Sequence, residues 1–123
     1  MESVKLFLPI GIDNYQKDPW PVLTNAKEDV KRLGDILCEK YGFTLLDDYV
    51  FDEKATLELI HEEFEKAVKN CYEVDELVIY YAGHGSVSPS GTGHWIPVDG
   101  DDKRYRWISN AAVIDHNKEI KAK

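Results

Sequence analysis

The sequence predicts an α/β domain built on a mostly parallel sheet, and three observations carry that expectation. Two apolar runs, Val4 to Ile12 and Leu77 to Tyr81, have the continuous hydrophobicity of strands buried on both faces. Between them lie two stretches in which apolar residues recur at helical spacing, separated by a short strand around Tyr49 to Phe51. The resulting β-α-β-α-β order calls for right-handed crossovers between parallel strands.

In the first strand Pro9 removes a ladder donor, which points to a bulge or a sheet edge there. Asp13 to Thr24 reads as a loop, with Pro19, Trp20 and Pro21 at its centre. Asn25 with Glu28 forms a capping-box-like start, and Ala26, Val30, Leu33, Leu37 and Tyr41 share a helical face until Gly42 supplies the stop. Thr56 is placed to cap a second helix whose apolar face carries Leu57, Ile60, Phe64, Ala67 and Cys71. Glu58, His61, Glu62, Glu65 and Lys66 fall on its other face, so His61 reads as solvated rather than functional.

After the third strand, the glycine- and serine-rich segment Gly85 to Gly93 predicts a small hairpin excursion that returns through His94 to Val98. Ser109 is expected to cap a third helix bearing Ala112, Val113 and Ile120. Residues 1–123 are read as one partial domain: a fourth parallel strand should follow that helix, and the sequence stops where it would begin. The expectation is the N-terminal part of a larger domain, with an apolar face along the third strand for the remainder to cover.

A chain of 123 residues is long enough for one domain with a modest core. With 15 basic against 23 acidic residues the net charge is −8, which repels phosphate backbones and anionic bilayers and draws in cationic segments. Nucleic acid and membrane are therefore not expected partners. No apolar run is long enough to span a bilayer and no secretory signal pattern opens the chain, so a cytoplasmic location is expected. Cys38 and Cys71 are too few for a disulfide framework or a zinc site and are expected to be buried, reduced thiols.

The candidate chemistry sits at Leu77-Val78-Ile79-Tyr80-Tyr81-Ala82-Gly83-His84-Gly85, an apolar strand that stops at a histidine held between two glycines. In open parallel sheets the crevice beyond the carboxyl ends of the strands is the usual ligand site, and an imidazole there suits proton transfer near neutral pH. The alternative is a histidine satisfied within a turn.

Three segments together carry a resemblance: Gly11-Ile12-Asp13-Asn14-Tyr15, Leu23-Thr24-Asn25-Ala26-Lys27-Glu28-Asp29 and Tyr80-Tyr81-Ala82-Gly83-His84-Gly85. Lys40-Tyr41-Gly42-Phe43, Trp95-Ile96-Pro97-Val98-Asp99 and Ile108-Ser109-Asn110-Ala111 support it. In this order and spacing the chain resembles the N-terminal, large-subunit-like half of the caspase-like cysteine peptidases, nearer to metacaspases and bacterial caspase-like domains than to animal caspases. The resemblance implies a caspase-like, Rossmann-like three-layer α/β/α sandwich.

The same resemblance implies that His84 is a general base, and later a general acid, toward a cysteine roughly 50 residues further on, beyond Lys123. Cys38 and Cys71 do not match that position, so this chain alone is expected to be inactive. The backbone N–H of Gly85 takes the oxyanion role. The segment from Asp13 to Asp29 has no arginine of the kind that animal caspases use to hold an aspartate. Asp29 matches the metacaspase aspartate at the start of the first helix and implies cleavage after Arg or Lys; its alternative is a helix-dipole residue. Asp13 is a second candidate for the same cleft, its alternative being to fix the loop through local hydrogen bonds. The implied partners are the C-terminal half of the domain and a protein or peptide substrate. A caspase-fold adaptor that has lost its nucleophile is the competing functional class.

Other constellations are weaker. Gly83-His84-Gly85-Ser86-Val87-Ser88 has Ser88 where a dinucleotide fingerprint needs glycine, and it follows the third strand instead of the first. Asp99, Asp101 and Asp102 lack the ligand alternation of a calcium loop, because Lys103 interrupts it. His84 and His94 have no zinc-ligand spacing. No cofactor or metal is required by these residues; calcium enters only through the resemblance, since many metacaspases need it. Trp20, Trp95 and Trp107 suit either a peptide groove or packing under loops. Lys118, Lys121 and Lys123 offer sites for self-cleavage by a peptidase of basic preference.

Overall fold

The computed structural model describes residues 4–70, 76–89 and 91–109. Cys71 and, after Ser109, the expected third helix lie outside the described residues. The elements run β1 (Lys5–Gly11), α1 (Ala26–Lys40), β2 (Thr44–Leu45), β3 (Val50–Phe51), α2 (Leu57–Asn70), β4 (Glu76–Ala82), β5 (Gly85–Val87), β6 (Gly93–Trp95) and β7 (Ile108–Ser109). The first four strands in sheet contact are parallel: β1 pairs with β4 along its whole length on one side, and with β2 and then β3 on the other.

This arrangement places β1 in the middle of the sheet, which corrects the reading of Pro9 as a bulge or edge signal. Phe7 accepts a bond from Leu46 N–H on the β2 side, so by alternation Pro9 also faces that side, where β2 ends at Leu45 and β3 starts only at Val50. The missing N–H therefore falls in a gap of the neighbouring strand and no ladder bond is lost. Sequence reading found β3 and missed β2, whose two residues carry no periodicity.

Two faces follow from the pleat. Leu8, Ile10 and Ile12 join Ile60 and Phe64 of α2 in the main core, with Ile79 and Tyr81 packed against it. The opposite face belongs to α1: a Cβ at Gly11 would lie 3.2 Å from the Lys27 backbone. One helix thus covers each face, giving the three-layer α/β/α arrangement the sequence predicts. Fully burying side chains such as Phe7, Leu8, Ile10, Ile60 and Phe64 stabilises the fold by about 1.5–3 kcal/mol apiece before chain entropy is counted. β5, β6 and β7 form a separate antiparallel sheet, docked by Trp95, whose ring stacks on Tyr81 at 4.7 Å and 5°. The hairpin was legible; β7 was not: Ser109 pairs with His94 at its end, and the helix expected after it lies outside the described residues.

The helix ends differ in part from expectation. Asn25 makes no side-chain cap bond to α1, and Glu28 pairs with Arg32 at 2.7 Å instead of closing a capping box. The freed Ala26 N–H donates to Asp13 Oδ1, 2.8 Å away across the loop. Gly42 does end the α1 segment, at φ +73, where only glycine is unstrained. Thr56 Oγ1 accepts from Leu59 N–H at 3.1 Å, as a cap should. His61 is half-buried, edge-on to Phe64, rather than solvated. Cys38 is a free, exposed thiol and not a buried one: the row Ala26, Val30, Gly34, Cys38 drifts by about 40° per step, and by this turn Leu33 and Leu37 are the half-buried residues.

Candidate active site

β1, β3 and β4 end together, and their carboxyl ends deliver Ile12 to Tyr15, Asp52 and His84 to one rim of the sheet. His84 is half-buried there, and its backbone is tied at both groups. Its N–H donates to Tyr15 Oη (2.7 Å), and its carbonyl accepts from Tyr81 O–H (2.6 Å) and Ile96 N–H (3.1 Å). The hydroxyls of Tyr15 and Tyr81 are 3.1 Å apart. Since the Tyr81 proton is directed at carbonyl oxygens, which only accept, Tyr15 donates to Tyr81, and the ring His84 N–H, Tyr15, Tyr81, His84 carbonyl closes. Burial pushes both phenols above their usual range, so they stay neutral donors.

Gly83 is required by this ring. A Cβ there would stand 2.6 Å from both tyrosine hydroxyls, closer than real Cβ atoms come. Gly85 is less constrained, with only the His94 carbonyl oxygen at 3.3 Å.

The imidazole is oriented as firmly as the backbone. Its Nε2 lies 2.7 Å from the Pro21 carbonyl oxygen, a pure acceptor, so Nε2 carries the proton and Nδ1 is the basic nitrogen. Tyr15 meets the ring edge-on at 4.9 Å, and Trp20 lies tilted at 5.7 Å. Trp20 and Trp107 both direct Nε1–H at the Asp101 carbonyl, at 3.3 and 2.7 Å, which pins the loop wall beside the histidine.

The bond from Ile96 to His84 makes Gly85 and Trp95 a non-hydrogen-bonded pair of the β5–β6 ladder, so the Gly85 N–H is directed away from β6. That N–H, one residue after His84, is thus not used by the β5–β6 ladder.

Asp13 is buried, and its Oδ1 caps α1 through Ala26 N–H. Asp29 stands exposed in the first turn of α1, where its N–H bonds Asn25 and no ion pair engages its carboxylate among the described residues. Of the predicted residues, His84 and Gly85 share the rim with Asp13, and Asp29 lies one turn into the helix that Asp13 caps. Cys38 lies twelve residues into α1 from Ala26, a helix run of about 18 Å toward the other end of the sheet.

Sequence reading missed Pro21, which acts through a backbone carbonyl and has no side-chain signature, and Asp52. The Asp52 carboxylate accepts from Asp13 N–H (2.8 Å), Asn14 N–H (3.1 Å), Asn14 Nδ2 (3.2 Å) and Lys27 Nζ (2.7 Å). Burial alone would raise its carboxyl, but these donors outweigh it and hold the value down to about 2. Its position directly after a strand end was the available signal. No group of three or more His, Cys, Asp or Glu side chains is placed to hold a metal ion among the described residues. No helix among them is long and apolar enough to cross a membrane.

The fold is thus a mostly parallel α/β sheet with His84 at its carboxyl rim. The profile of the metacaspase, peptidase C14 domain matches residues 5–106, most of the chain, and the protein belongs to that family. The family is one of peptidases, so its substrates are proteins. Curated proteins yield no match to the chain.

Proposed function

We propose that this chain forms the base-carrying part of a cysteine endopeptidase that cleaves after Arg or Lys. The observation that carries the reading is the 2.7 Å contact from His84 Nε2 to the Pro21 carbonyl, which leaves Nδ1 free to take a proton. The thiol is supplied by polypeptide beyond Lys123. In support, β4 pairs only with β1 among the described residues, and its apolar side chains from Leu77 to Tyr81 are all half-exposed, as an edge awaiting a strand would be.

In this scheme Nδ1 accepts the thiol proton, the thiolate attacks the scissile carbonyl carbon, and the Gly85 N–H binds the resulting oxyanion. The imidazolium then returns the proton to the leaving amine as the C–N bond breaks, and water releases the acyl group. Asp29 holds the basic side chain before the scissile bond, its carboxylate being free of ion pairs among the described residues. Asp13 has one oxygen engaged at α1, so its contribution to the same cleft is secondary.

The test is peptide cleavage by the full-length protein with His84→Ala and Asp29→Ala. The first variant should lose cleavage, and the second should lose it after Arg and Lys. An adaptor role through the open β4 edge predicts instead that wild type and both variants are equally inert.

A further inference from the structure

The loop from Asp13 to Ala26 supplies Tyr15 and Pro21, which accept from the backbone N–H and the ring of His84, and its closure depends on Asp13. The Asp13 carbonyl accepts Leu23 N–H at 2.8 Å and its Oδ1 accepts Ala26 N–H at 2.8 Å, so one residue ties the start of the loop to its end. Tyr15 lies two positions after that tie and Pro21 two positions before Leu23. The tie itself is fixed by Asp52, whose Oδ1 accepts both Asp13 N–H and Asn14 N–H. Its Oδ2 takes Asn14 Nδ2 and Lys27 Nζ, the latter projecting from the first turn of α1. Asp52 has φ +46, a left-handed conformation uncommon outside glycine, asparagine and aspartate. A polar residue held in a sparsely populated conformation at a strand end, and bonded three times to one loop and once to the helix that follows it, is over-determined by its surroundings in the way functional positions are.

We infer that Asp52 is a positioning residue for the proposed reaction: by fixing Asp13 it sets the Pro21 carbonyl and Tyr15 hydroxyl that orient His84 with Nδ1 free. Lys27 is its charge partner, at 2.7 Å. The inference rests on His84 being the base, but its test reads the orientation of the ring and not catalysis, so the two can fail separately. A ring held correctly in a protein that cleaves nothing would remove the peptidase reading alone.

The test uses the full-length protein, 15N-labelled, and follows the His84 Hε2 proton by NMR. In the wild type a proton shared with the Pro21 carbonyl exchanges slowly enough to be seen. Asp52→Asn and Asp52→Gly both tolerate positive φ and remove two or all of the carboxylate bonds. Each should speed Hε2 exchange by about tenfold or more while the β1 and β4 amide shifts are retained. Lys27→Met, which leaves the backbone bonds of Asp52 intact, should give a smaller increase. Unchanged Hε2 exchange in folded Asp52 variants overturns the inference. Global unfolding of both variants overturns it too, because the residue would then serve the fold and not the ring.

Discussion

Tyr15 and Tyr81 touch hydroxyl to hydroxyl at 3.1 Å, and through that bond the backbone N–H and carbonyl of His84 are joined in one closed circuit. The two phenols come from the loop after β1 and from β4, so the position of His84 is set jointly by neighbouring strands of the sheet. Cooperative circuits of this kind fail as units, which makes the circuit accessible to measurement.

Tyr15→Phe leaves the His84 N–H without its acceptor and should cost about 1–2 kcal/mol in urea unfolding. Tyr81→Phe keeps the stack on Trp95 but removes the donor to the His84 and Ile96 carbonyls, at a similar cost. The double variant should lose less than the sum of the singles, because either change already opens the circuit. Strict additivity would contradict the assignment of donors.

Gly83→Ala and Gly85→Ala separate the two glycines around the histidine. The first drives a methyl group against both tyrosine hydroxyls and should destabilise by about 1–3 kcal/mol. The second meets one carbonyl oxygen at 3.3 Å and should cost less than about 1 kcal/mol. Thermal unfolding of the two variants, compared side by side, checks the order.

Asp52 predicts an acid limb. Its folded value of about 2 lies below the ordinary 3.8, so it contributes stability that is fully present above about pH 4 and is lost as the pH falls through 2. The amount at neutral pH is about 2 kcal/mol. Urea midpoints of the wild type between pH 5 and 2 should fall more steeply than those of Asp52→Asn; parallel curves would contradict the network.

Asp13→Ala removes the carboxylate that caps α1 from across the loop and should cost about 1 kcal/mol. Asn25→Ala should cost less, since Asn25 makes no side-chain cap bond. Chemical denaturation of both variants tests which residue caps the helix.

The parts of this protein legible in its sequence are those with a period or a punctuation mark. β1, α1, α2 and β4 follow from apolar spacing, and Gly42 from its left-handed turn. His84 stood out because two glycines flank it after an apolar strand. β2 and β7, of two residues each, were not legible because tertiary pairing, not local pattern, creates them. Pro9 misled because the gap between β2 and β3 is a tertiary feature. The cap on α1 was assigned to Asn25, its sequence neighbour, whereas the bond comes from Asp13, thirteen positions earlier. Pro21 holds the site through a carbonyl oxygen, which has no local signature, and Asp52 through a long-range carboxylate whose one local signal is its place directly after β3.

The most direct measurement is cleavage by the full-length protein of peptides ending in Arg, Lys or Asp, with and without calcium, comparing wild type with His84→Ala. The account predicts release after Arg or Lys by the wild type and none by the variant. Equal cleavage by both proteins would contradict it.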